Sequence, residues 1–129
     1  MRYPEPMPDR DPPATDLRAQ RCQACAGRHA AYTRKQIDQL LPQLHGGWRV
    51  TDDPTDRHAT LTRTFTFGDY PASVAFVNRV ADLAEREGHH PDLRLTYGKV
   101  EVTWWTHTAE GVTGNDFICA AKCDALAEG

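Results

Sequence analysis

The sequence predicts an α+β domain: a four-stranded antiparallel sheet with three helices on one face, in the order α-β-β-α-β-β-α. Three observations predict it. Apolar residues recur at helical spacing in three stretches. Between them, short segments of alternating or strand-like character come in two pairs, each pair joined by turn-forming residues. The positions opposite the apolar ones carry Thr60, Thr62, Thr64, Thr66, Arg94, Thr96, Glu101 and Thr103, a polar face that needs no helical cover.

The elements follow in chain order. Thr33 is suited to cap a helix in which Ile37, Leu40, Leu41 and Leu44 share a face, and Gly46-Gly47 ends that run. Trp48-Arg49-Val50 reads as a short strand and Asp52-Asp53-Pro54 as a turn. Residues 60–67 alternate as a half-buried strand. Arg63 falls on its apolar parity, which points to a bulge or the sheet margin. Gly68-Asp69-Tyr70-Pro71 breaks the strand, with Pro71 suited to a first helical turn. Residues 72–87 carry Phe76, Val77, Val80, Leu83 and Ala84 on one stripe, and Gly88 closes this helix. Leu93, Leu95 and Tyr97 share one parity; Val100, Val102 and Trp104 share another after a turn at Tyr97-Gly98-Lys99. A last helix spans 113–127, with Thr113 at its cap, Asn115 and Asp116 in its first turn, and Phe117, Ile118 and Ala121 on its apolar stripe. Four short strands leave two edges, and edge pairing between subunits is a natural cover for one.

The 129 residues suffice for one domain and not two. Hydrophobic residues at 40% exclude wholesale disorder, and 15 Lys+Arg against 18 Asp+Glu exclude an electrostatically driven nucleic-acid binder. No apolar run approaches a membrane span, and Met1-Arg2-Tyr3-Pro4 does not open a secretory leader, so a cytoplasmic protein is expected. Residues 1–13 hold five of the nine prolines, so residues 1–30 are expected to form a poorly ordered tail ahead of a domain at 31–129. Cys22 and Cys25 lie in that tail near His29, and Cys119 and Cys123 stand one helical turn apart. In a reducing compartment these read as thiols or metal ligands: a composite four-thiolate zinc site is one reading, helix packing of the second pair the other.

The chemistry sits at the histidines. His89-His90 follows the Gly88 stop, and Pro91 forces His90 into extended backbone, so two imidazoles are held on a restrained loop. His107 ends the segment Trp104-Trp105-Thr106-His107. Hairpin arithmetic about the 97–99 turn sets position 107 opposite about 89, which brings a third imidazole to the pair. Asp116 lies nine residues beyond His107 and is suited either to cap its helix or to orient an imidazole. Adjacent residues of an extended segment point to opposite faces, so His89 and His90 are awkward joint ligands for zinc. Acid–base catalysis suits imidazoles, which titrate near neutrality.

Gly88-His89-His90-Pro91-Asp92, Gly98-Lys99-Val100, Trp104-Trp105-Thr106-His107 and Gly111-Val112-Thr113-Gly114-Asn115-Asp116 together resemble the signature of the pterin-4a-carbinolamine dehydratases. Phe65-Thr66-Phe67 and Phe76-Val77-Asn78 are similar to that family's central strand and helix, and the resemblance covers residues 33–127. Asp92 stands where some members carry Glu, and Leu93 where some carry Trp. The resemblance implies an α+β fold and a homodimer or homotetramer built by joining sheets. It implies His89, His90 and His107 as active-site residues, Pro91 shaping the pocket and Asp116 supporting it. Thr106 is expected at the substrate, and Trp105 either supplies the apolar wall that a flat pterin needs or is a structural Trp of the sheet. The implied substrate is a 4a-hydroxytetrahydropterin, dehydrated to the quinonoid dihydropterin without metal or redox cofactor, in recycling the cofactor of aromatic amino-acid hydroxylases. Some relatives of this fold act instead as a transcription factor's dimerisation cofactor or a Rubisco assembly factor. Non-catalytic relatives can lose the histidine set, and its full retention here favours an enzyme.

Overall fold

A computed structural model of the chain describes residues 17–22, 30–52 and 58–128. The prolines of residues 1–13, Cys25, His29 and most of the turn expected at 52–54 lie outside them. The described residues form α1 (Arg34–Leu40), β1 (Arg49–Asp52), β2 (Ala59–Thr66), α2 (Tyr70–Glu87), β3 (Asp92–Thr96), β4 (Lys99–Trp104) and α3 (Gly114–Glu128). This is the α-β-β-α-β-β-α order expected from the sequence. The sheet is antiparallel throughout, in spatial order β1-β2-β4-β3, so β1 and β3 are its edges.

Local chemistry explains the element ends. Thr33 caps α1 reciprocally: its hydroxyl accepts from the Gln36 N–H, and the Gln36 side chain accepts from the Thr33 N–H. The expected single helical run to Leu44 is cut at Leu40, and Leu41–Gln43 tightens into a 3₁₀ turn, because Pro42 has no N–H to continue the α pattern. Asp69 caps α2 by accepting from the Ala72 N–H, and Gly88 closes it at φ 65°, a left-handed conformation. Leu61, Phe65, Val100, Val102 and Trp104 project from the sheet into the core, where they join Ile37 and Leu40 of α1, Phe76, Val80 and Leu83 of α2, and Phe117 and Ala120 of α3.

Three details differ from the expectation. Arg63 needs no bulge: it pairs in register with Val102, and its side chain lies on the helix side, where it forms an ion pair with the buried carboxylate of Asp124 on α3. Asp124 Oδ1 also accepts from Trp48 Nε1 (2.8 Å) and its Oδ2 from the His45 N–H (3.1 Å), so the inward charge is neutralised and bonded rather than displaced to the margin. The β3–β4 hairpin turns on two residues, Tyr97-Gly98, with Thr96 opposite Lys99. The stretch expected to be a loose tail also contributes to the fold: Leu17–Ala19 forms a 3₁₀ turn with Leu17 buried, Arg18 bonds both carboxylate oxygens of Glu128, and Lys122 Nζ donates to the Arg18 carbonyl at 2.7 Å. One apolar side chain, Arg18 directed at Glu128 and Lys122 of α3 directed back at the Arg18 carbonyl seat it.

Candidate active site

The site is built where β4 ends. Thr106 pairs with Gly111 in an isolated antiparallel bridge (Thr106 N–H to Gly111 O, 2.7 Å), which turns residues 107–109 into one 3₁₀ turn and directs the chain into α3. The β3–β4 ladder stops at Asp92 opposite Thr103. It does not run on to pair 107 with 89 as the hairpin arithmetic expected, because Pro91 has no N–H to extend it and Thr106 bonds forward to Gly111 instead.

Asp116 is fully buried in the first turn of α3 and organises this corner. Its Oδ2 accepts from the Thr106 hydroxyl (2.7 Å) and from the Thr113 N–H (2.8 Å), and the Thr113 hydroxyl lies 2.8 Å from that of Thr106. Its Oδ1 lies 2.6 Å from Nε2 of His89, whose side chain is almost wholly buried. A carboxylate that receives two donors on one oxygen accepts the imidazole N–H on the other. Nε2 is then the protonated nitrogen of His89, and Nδ1 the basic one. The ring lies nearly parallel to that of Trp104, 15° from it at 5.5 Å between centroids.

Trp105 follows Trp104 and sits at the opposite side of the sheet, at the rim of a polar concavity of about 250 Å³ lined by Thr60, Thr62, Thr103, Asp92 and Glu101. Its indole N–H donates to Asp92 Oδ2 at 3.2 Å. His107 stacks on it at 3.9 Å between centroids and His58 at 3.8 Å, each within 26° of parallel. Two rings at that separation cannot share one face, so Trp105 is the middle of a three-ring stack. His90 is exposed and bonds Glu85 on α2, with Nε2 2.5 Å from Oε2. Among the described residues, Asp116 bonds His89 alone of the three histidines, and the ring contact of His107 is with Trp105. Pro91 stands between His90 and β3, partly buried.

Sequence reasoning did not anticipate His58, Thr113 as a donor to Asp116, or Glu85 as the partner of His90. Parity was available for His58: it shares the face of Thr60 and Thr62, two residues before the strand pattern begins. Among the described residues no three His, Cys, Asp or Glu side chains gather as a metal site, and no helix is long and apolar enough to cross a membrane.

Comparison with known proteins bears on this corner directly. A family model described as pterin 4 alpha carbinolamine dehydratase matches residues 30–126, which include every residue of the Asp116 network and the Trp105 stack. A protein of Legionella pneumophila (strain Corby), named provisionally as a pterin-4-alpha-carbinolamine dehydratase, is 44% identical over 112 residues, 87% of this chain and 96% of that one. Among solved structures, a transcriptional coactivator/pterin dehydratase from Brucella melitensis is similar at 32% identity and a TM-score of 0.66, over 75% of this chain and 98% of that one. A pterin dehydratase-like protein identified as a RuBisCO assembly factor in the alpha-carboxysome is similar at 31% identity and a TM-score of 0.53, over 64% of this chain and 92% of that one. A sheet, a helix set and a buried carboxylate network that all lie within one matched span leave a single assignment, and the chain belongs to the pterin-4-alpha-carbinolamine dehydratase family.

Proposed function

We propose that this chain is a hydro-lyase that dehydrates a 4a-hydroxytetrahydropterin to the quinonoid dihydropterin. Support comes above all from one observation: His89 is held by a buried carboxylate whose other oxygen is occupied by Thr106 and Thr113. Binding alone does not require an imidazole with its tautomer set in a nearly dry corner; proton transfer does.

The reaction breaks the C4a–O bond, removes the N5 proton and forms the C4a–N5 double bond, releasing water. Hydroxide is a poor leaving group, so an acid must protonate it as it departs, and a base must accept the N5 proton. In this proposal His89 and His107 serve these two roles, and His90 holds the pterin. Asp116 orients His89, Thr106 and Thr113 keep that carboxylate in place, Trp105 is the platform under His107, and Pro91 shapes the entrance. Each positioned proton transfer contributes about 10²–10⁴-fold to the rate. No step calls for a metal or a redox group, and the substrate arises as aromatic amino-acid hydroxylases use their tetrahydropterin.

The test follows the decay of 4a-hydroxytetrahydropterin with and without the protein. The expected result is decay faster than the spontaneous rate, with His107→Ala slower by about 10²-fold or more. Decay at the spontaneous rate overturns the proposal and leaves a non-catalytic binding module as the reading; the alpha-carboxysome relative is identified as a RuBisCO assembly factor.

A further inference from the structure

We propose that Cys22 and Cys119 are a thiol pair that a peroxide oxidises to a disulfide, fastening the N-terminal segment covalently to α3. The two sulfurs lie 3.2 Å apart although the residues are 97 positions apart in the chain. Cys22 Sγ also lies 3.6 Å from the Asn115 carbonyl. The backbone around Cys22 is already docked: its N–H donates to Glu87 Oε1 at 2.8 Å, Glu87 lies 3.7 Å from Lys122 Nζ, and Lys122 and Glu128 hold Arg18. Bond formation therefore asks the sulfurs to close from 3.2 Å to about 2.05 Å, a movement of side chains rather than of a loop.

The two sulfurs are not equivalent. Cys119 is fully buried, and its thiol is pushed far above the ordinary range by its hydrogen bond with Cys22, by burial and by neighbouring negative charge that includes Asp116. It keeps its proton, and in the contact with Cys22 either sulfur can serve as donor. Cys22 is only half-buried, so it is the sulfur that a small oxidant reaches. Its sulfur attacks the peroxide O–O bond and becomes a sulfenic acid, releasing an alcohol, or water from hydrogen peroxide. Cys119 sulfur then attacks the sulfenic sulfur; the S–O bond breaks, and the departing oxygen leaves as water with the Cys119 proton. Two thiols and one peroxide give one disulfide, one alcohol and one water, with two electrons passing to the peroxide. Cys123, one turn further along α3, is buried with its thiol pushed up to about 12, chiefly by burial, and plays no part.

This inference is independent of the dehydratase reading. The full chain is treated with hydrogen peroxide, its remaining thiols are alkylated, and it is digested with trypsin without reduction. Cleavage at Lys122 separates Cys119, in peptide 100–122, from Cys123, while Cys22 and Cys25 stay together in peptide 22–28. The expected product is peptide 22–28 joined to 100–122, about 2 Da lighter than the two reduced peptides together. It forms equally in Cys25→Ser and is lost in Cys22→Ser, a substitution at a half-buried position that spares the core. A Cys22–Cys25 or Cys119–Cys123 bond, a Cys22 oxidised further without cross-linking, or no loss of mass would each overturn it.

Discussion

Asp116 divides its donors between its two oxygens, and this division sets the tautomer of His89. Asn at position 116 keeps the shape but places an NH₂ where one oxygen accepted, so that it faces either the His89 N–H or the Thr106 and Thr113 donors. Asp116→Asn is expected to lower the dehydration rate by about 10²-fold or more. It is also expected to cost about 1–3 kcal/mol of stability, read as a lower urea midpoint. A rate at the wild-type level would remove Asp116 from the catalytic account. At this scale much was legible in the sequence. Asp116 was expected either to cap its helix or to orient an imidazole, and its geometry joins the two, since it accepts both from the Thr113 N–H at the start of α3 and from His89. The stack on Trp105 was not legible. Its third ring, His58, precedes the alternating strand pattern, and ring stacking between residues 47 positions apart leaves no periodic trace.

Among the elements, the junction of α2 with the His89-His90 loop is set by Gly88. At φ 65° a side chain at this position is strained even though open space surrounds it. Gly88→Ala is expected to cost about 1 kcal/mol, a Tm lower by about 4 °C in a thermal melt. It is expected to slow dehydration more than that loss of folded protein explains, because His89 is the next residue and its N–H closes the helix on the Ala84 carbonyl. A melt unchanged from wild type would show that the left-handed turn is dispensable. Helix and strand positions were readable because apolar spacing reports which side faces the core. Each misreading has a specific cause. Pro42 ends α1 early by lacking a donor, and Arg63 keeps strand register because Asp124, 61 residues away, supplies the charge that it faces. No local pattern signals a partner at that distance. The two-residue turn at Tyr97-Gly98 shifted the hairpin arithmetic by one, and the Thr106–Gly111 bridge then led the chain off the ladder.

At the scale of the whole fold, and among the described residues, the helices lie on one side of the sheet and none lies on the other, and the segment around Leu17 is tied to the far end of α3. That tie depends on pH. The hydrogen bond from Arg18 holds the Glu128 carboxyl below its ordinary value of 4.5. A carboxyl depressed by docking stabilises the docked state fully above that ordinary value, and the stabilisation is lost as pH falls through the lower, docked-state value. Hydrogen exchange at residues 17–22, corrected for its intrinsic pH dependence, is expected to rise as pH drops below about 4.5. In Glu128→Gln that step is expected to vanish, and its persistence would assign the tie elsewhere. The side without helices among the described residues has a separate consequence. Trp104 and Trp105 are adjacent along the chain yet present their rings to opposite sides where β4 ends, and each meets an imidazole of different exposure there, the buried His89 and the exposed His107. The bathing solution meets His107 directly, whereas His89 keeps only a small part of its side chain in contact with it. Dissolved ions that weaken fields at the surface therefore reach the first of these rings and largely miss the second.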